Sequence, residues 1–163
     1  MKVIKIIING ILSVIIAITL VIVLLLLIGI HSYVVLSGSM EPKIETGSLC
    51  FINKLIKFEN IKEQDVIAYE IDNGTIVTHR VVEVNDDEIV TKGDANDFVD
   101  GTIVTKDNYV GKSIFTIPKI GYLVRMFQTR NGKIISISVI ILMFTVAFLF
   151  GEKKENKKEN NEM

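Results

Sequence analysis

Two segments and a strand hold the residues of this chain whose types could do covalent chemistry. The first is Ser37-Gly38-Ser39-Met40-Glu41-Pro42. A serine hydrolase needs a nucleophile, a base to take its proton and donors for the oxyanion. Here Gly38 permits sharp backbone geometry beside a hydroxyl and Pro42 stiffens the exit. Spacing alone leaves a linker as the ordinary reading of such small residues. The strand is Ile76-Val77-Thr78-His79-Arg80-Val81-Val82, which carries one of only two histidines. A neutral imidazole, with its reference pKa near 6.5, suits base work at neutral pH. A strand histidine satisfied by hydrogen bonds is the plainer alternative. The second histidine, His31, ends an apolar run and reads as an interfacial residue. The last segment, Gly93-Asp94-Ala95-Asn96-Asp97-Phe98-Val99-Asp100-Gly101, offers three carboxylates. They suit either a partner for the histidine or a cation loop, with a solvated acidic turn as the bland reading. A calcium loop needs ligands at alternate positions, and Phe98 breaks that pattern. The single cysteine, Cys50, excludes an internal disulfide and a Cys-based zinc site, and reads as a small buried hydrophobe. No cofactor and no metal are expected.

These residues must be held by something, and the apolar pattern says what. Hydrophobic residues make up 49% of the 163 positions, and the mean hydropathy is +0.44. The excess sits at the two ends. From Ile6 to Ile30 no charged residue occurs, long enough to cross a hydrocarbon core of about 30 Å as a helix. This run is longer than the apolar core of a cleaved secretory signal and lacks a small-residue cleavage pattern, so a retained anchor is expected. A second uncharged run, Ile134–Phe150, sits near the lower limit of about 17 residues for a span; a buried core helix is its alternative. Lys2 and Lys5 precede the first run and Lys153, Lys154, Lys157 and Lys158 follow the second, which places both termini in the cytoplasm. The expected organisation is a cytoplasmic N-terminus over 1–5, transmembrane helices over 6–30 and 134–150, an extracytoplasmic domain over 31–133, and a disordered cytoplasmic tail over 151–163.

The middle domain reads as mostly β. Leu49–Lys54, Val66–Ile71, Ile76–Val84, Glu88–Lys92 and Tyr109–Ile117 are rich in Val, Ile, Phe and Tyr, and turn residues such as Asp72-Asn73-Gly74 separate them. Asn73-Gly74 suits a tight hairpin turn. No amphipathic helix is expected between the spans. The formal net charge of −1 gives no reason to expect a nucleic-acid partner.

In order, the three chemical segments resemble those of type I signal peptidases, of the endoplasmic-reticulum and archaeal type that uses histidine as base. The match rests on S-x-S-M-x-P at Ser37–Pro42, on His79-Arg80-Val81-Val82, and on Gly93-Asp94-x-Asn96 followed by Asp100. The resemblance implies a compact β catalytic domain with Ser39 as nucleophile, His79 as base and Asp100 as triad acid. It also implies Asp94 as a second functional carboxylate and Ser37 as an oxyanion donor. Gln64-Asp65-Val66-Ile67 resembles a family stretch in which glycine is usual at the first position, so the turn there is expected to differ. Ile117-Pro118-Lys119-Ile120-Gly121-Tyr122 resembles the family segment before a C-terminal span. The implied partners are signal peptides of secreted precursors and the lipid bilayer, with the secretion machinery a further partner. An inactive membrane-tethered accessory domain is the competing class; a self-cleaving Ser–Lys enzyme would need lysine at position 79.

Overall fold

The computed structural model describes residues 2–71 and 74–152. Two units make up the chain. One comprises Met1–Val23 and Met126–Met163, the other Leu24–Arg125.

Helix α1 runs from Lys2 to Leu27. Its Ile6–Leu27 stretch has a mean hydropathy of 3.2 and, among the described residues, is the one helix long and apolar enough to cross a membrane. The helix stops short of the expected Ile30. Gly29 turns the chain with φ +74°, its N–H bonded to the Leu26 carbonyl, as a glycine past a helix end commonly does. Ile30 already belongs to a strand. The absence of charge marks how far an apolar run extends, not where its helix ends.

The Leu24–Arg125 unit is built on one six-stranded antiparallel sheet: β1 Ile30–Val34, β2 Leu49–Asn53, β3 Val66–Ile71, β4 Thr75–Val84, β5 Ile89–Lys92 and β6 Tyr109–Ile117. The order across the sheet is β1-β2-β6-β3-β4-β5. Five strands match the expected ones to within a residue at each end. β1 was not expected, because the apolar run before it masks a short strand. The strands alternate as a sheet with two covered faces should. Ile67 and Tyr69 of β3 join one buried cluster with Val81 and Ile89, while Ala68 between them joins Cys50 and Ile52 on the other face. Cys50 is fully buried, with Sγ 3.2 Å from Ser113 Oγ, and burial pushes its thiol pKa up.

Three further details differ from expectation. A nine-residue helix, α2, forms at Ile120–Gln128; it is amphipathic but shorter than the 11–18-residue window in which helical periodicity stands out. Helix α3 spans Arg130–Glu152, so it contains the second apolar run, starts before it, and takes in Gly151 and Glu152 from the expected tail. Asp72 and Asn73 of the expected hairpin turn, and residues 153–163 with their four lysines, lie outside the described residues. At the β3 approach, Gln64 adopts φ +71°. The left-handed turn that glycine would make is therefore kept by a residue that takes this conformation at a cost.

Candidate active site

Three loops and strands converge on one point. Ser39 lies in the connection from β1 to β2. The buried side chains of Met40 and Ile44 root that connection in the core. Glu41 braces it further, with Oε1 accepting from both the Thr46 N–H (3.2 Å) and the Thr46 hydroxyl (2.9 Å); these bonds hold the Glu41 carboxyl below its usual pKa. His79 sits mid-way along β4, opposite Ile67 of β3, and is 8% exposed. Asp100 lies in the connection from β5 to β6, where its N–H bonds the Thr91 carbonyl at 2.8 Å.

His79 Nε2 lies 2.9 Å from Ser39 Oγ, and His79 Nδ1 lies 2.6 Å from Asp100 Oδ2. An ionised carboxylate only accepts hydrogen bonds, so Nδ1–H donates to Oδ2 and Nε2 is free to accept from the serine hydroxyl. A serine on a histidine that a carboxylate orients is the arrangement that activates an alcohol for acyl transfer. Ser37 Oγ is 3.3 Å from Ser39 Oγ and exposed.

Asp94 meets not His79 but its neighbour. Arg80 donates Nε to Asp94 Oδ1 and Nη2 to Asp94 Oδ2, each at 2.7 Å, and Nη1 to the Gln64 carbonyl at 2.8 Å. The paired carboxylate raises the Arg80 pKa still further. The Asp94 loop also touches the nucleophile segment: the Ala95 N–H donates to the Ser39 carbonyl at 2.8 Å. That approach needs glycine at position 93, where a Cβ would come within 2.6 Å of the Ser39 carbonyl oxygen. Asp97 is exposed. His31 bonds the Gly29 carbonyl at 3.3 Å. Among the described residues no cluster of three or more His, Cys, Asp or Glu side chains is arranged to hold a metal ion.

Sequence reasoning missed Arg80, Tyr69 and Thr91. The Tyr69 hydroxyl donates to Asp100 Oδ2 at 3.0 Å and the Thr91 hydroxyl to the same atom at 2.6 Å. In sequence both are ordinary strand formers, and nothing local distinguishes their hydroxyls. Burial pushes the Tyr69 phenol up to about 12, so it remains a donor at neutral pH.

A serine, a histidine and an aspartate hydrogen-bonded in that order on a β-sheet domain form an arrangement of the kind found in serine hydrolases. A model of the family described as signal peptidase, peptidase S26, matches residues 7–114, and the chain belongs to that family. Signal peptidase I W of Bacillus subtilis is 40% identical over 78 residues, which cover 45% of this chain and 41% of that protein. The signal peptidase complex catalytic subunit SEC11 of Colletotrichum graminicola is 31% identical over 102 residues, 55% of this chain and 59% of the relative. The corresponding subunit of Eremothecium gossypii is 36% identical over 104 residues, 55% of this chain and 61% of the relative. The matched part of the chain thus spans about two fifths to three fifths of these relatives' lengths.

Proposed function

We propose that this chain is a membrane-anchored serine endopeptidase that cleaves N-terminal signal peptides from exported precursors at the outer membrane surface. The observation that carries the reading is the continuous hydrogen-bonded line from Ser39 Oγ through His79 to Asp100, at 2.9 and 2.6 Å, in a chain of the signal peptidase family.

Ser39 Oγ attacks the scissile carbonyl as its proton passes to His79 Nε2. Asp100 stabilises the imidazolium that forms. His79 then gives the proton to the leaving amine, and water, activated by the same imidazole, releases the acyl group. The Ser39 N–H and the Ser37 hydroxyl receive the developing oxyanion, where losing one donor typically costs about 10²–10³ in turnover. Asp94 works through Arg80, holding the nucleophile segment against β4.

The substrate chain lies extended. A cleft of 560 Å³ runs to Ser39 and His79 between the β1 end of the sheet and the first half of β4. Among the described residues β1 pairs only with β2, and the β4–β5 pairing begins at Arg80, so both walls offer strand edges for β-augmentation. Leu36, Met40, Ile44 and Ile76 line it, which suits small apolar side chains before the cut. The chain from the end of α1 at Leu27 to Ser39 reaches at most about 40 Å even fully extended, at roughly 3.3–3.6 Å per residue. The anchor therefore keeps the nucleophile near the membrane surface, where a translocating precursor presents its cleavage site just beyond its apolar region. On this reading α1 crosses the bilayer and the sequence run Ile134–Phe150, at the lower limit of about 17 residues, crosses it as a second and shorter span, with both termini cytoplasmic by the lysine distribution.

The test is cleavage of a signal-bearing precursor by the full chain reconstituted in lipid, with products read by mass spectrometry. The wild-type chain should cut at one site after small residues, and Ser39→Ala and His79→Ala should not. Normal cleavage by His79→Ala overturns the mechanism; no cleavage of any precursor by the wild-type chain favours an accessory role instead.

A further inference from the structure

Asp100 Oδ2 is unusually well supplied with donors. Besides His79 Nδ1 at 2.6 Å, it receives the Thr91 hydroxyl at 2.6 Å and the Tyr69 hydroxyl at 3.0 Å. The two hydroxyls are themselves 3.2 Å apart. Tyr69 and Thr91 are 1% and 0% exposed, so both are fixed by the core that surrounds them. Asp100 lies in a connection outside the sheet, just after the exposed pair Phe98 and Val99, with its side chain 12% exposed and its backbone N–H on the Thr91 carbonyl at 2.8 Å.

The sheet order explains the geometry. β3, β4 and β5 are neighbours, so Tyr69 on β3 and Thr91 on β5 stand on either side of the strand that carries His79. Two donors reach across β4 from opposite sides to the same oxygen. With His79 Nδ1–H they put three donors on one oxygen, so a rotation that carries Oδ2 away from Nδ1 also strains both hydroxyl bonds. The core itself does not ask for these hydroxyls: phenylalanine and valine would fill the same volumes without a polar group to satisfy.

We infer that Tyr69 and Thr91 are positioning residues that lock the Asp100 carboxylate onto His79, and so hold the imidazole in the tautomer and orientation that serve Ser39. This rests on the proteolytic reading above. Neither side chain is among the residues that line the cleft, so their effect falls on kcat and not on KM. Loss of one hydrogen bond to a charged group at the reacting centre corresponds to about a tenfold fall in kcat or somewhat more.

The experiment compares Tyr69→Phe, Thr91→Val and Thr91→Ser with wild type in the lipid-reconstituted full chain. Tyr109→Phe serves as control, because its hydroxyl donates to the Ile56 carbonyl, away from the relay. Two quantities are read: steady-state precursor cleavage, and the low-field proton resonance of His79 Nδ1–H. Tyr69→Phe and Thr91→Val should each lower kcat about tenfold at unchanged KM and shift or broaden that resonance. Thr91→Ser, which keeps the hydroxyl, should restore both, and Tyr109→Phe should leave both at wild-type values. Wild-type kcat in folded Tyr69→Phe and Thr91→Val overturns the inference. So does an equal loss in Thr91→Ser, which would indicate packing. Should Tyr69→Phe fail to fold, the Thr91→Val and Thr91→Ser pair decides. The resonance needs no turnover, so it tests the lock separately: if Ser39→Ala still cleaves, the proteolytic mechanism fails whatever the resonance shows.

Discussion

Replacing Asp94 with alanine should be felt first in stability, whereas replacing Asp100 should be felt first in turnover. Asp94 binds Arg80 through both oxygens at 2.7 Å, with side-chain exposures of 22% for Arg80 and 18% for Asp94. Removing one partner of a fully buried pair costs about 3–5 kcal/mol, while an exposed pair contributes about 0–1 kcal/mol. At roughly four-fifths burial, with the Gln64 carbonyl still bound to Arg80, a loss of about 2–3 kcal/mol is expected. The strain passes to Ser39 through the Ala95 N–H, and a displacement of that kind lowers turnover about 10–100-fold. Asp100→Ala keeps the Arg80 pair but deprives His79 Nδ1 of its acceptor, for which a fall of about 10³–10⁴-fold is expected. The assays are denaturant unfolding of the full chain in detergent, followed by the near-ultraviolet signal of its four tyrosines since it has no tryptophan, and steady-state precursor cleavage. An Asp94→Ala chain with an unchanged unfolding midpoint and turnover as low as Asp100→Ala would refute the division of roles.

Gly93→Ala should nearly silence cleavage in a folded chain, because the new methyl group must displace the Ser39 carbonyl that it meets at 2.6 Å; wild-type cleavage would show that the loop yields freely. Gln64→Gly should raise the unfolding midpoint by the equivalent of about 0.5–1 kcal/mol, by relieving φ +71° at a net gain over the added chain entropy. Burial raises Tyr69 and Tyr109 to about 12 in the folded chain, against about 10 unfolded. The unfolded chain thus loses these protons first, and stability should be full below about pH 10 and fall toward pH 12. Tyr69→Phe should flatten that fall in a pH series of unfolding midpoints, and an unchanged slope would contradict the shift.

What could be read from the sequence were local things. Short runs rich in Val, Ile, Phe and Tyr, and the turn residues between them, marked five of the six strands, because strand propensity and turn chemistry depend on near neighbours. The long uncharged run marked α1. β1 and α2 escaped because each is too short to carry its own periodicity beside a stronger apolar signal. The residues Ser39, His79, Asp94 and Asp100 were legible only through a family resemblance; spacing left each with an ordinary alternative. Their meeting was not legible at all. Ser39 and His79 are 40 positions apart and His79 and Asp100 21 apart, and no local rule says that β6 inserts between β2 and β3 or that β3, β4 and β5 lie side by side. Those choices belong to the packing of the whole sheet, where the register sets which side chains share a face. They separated the three aspartates of one loop into a carboxylate on His79, a carboxylate on Arg80 and an exposed one. They also brought Tyr69 and Thr91, two unremarkable strand residues, to a single oxygen. Chain composition decided what kind of elements would form; tertiary pairing decided which hydroxyls touch which carboxylate, because hydrogen bonds require contact and contact across the sheet is set by no single segment.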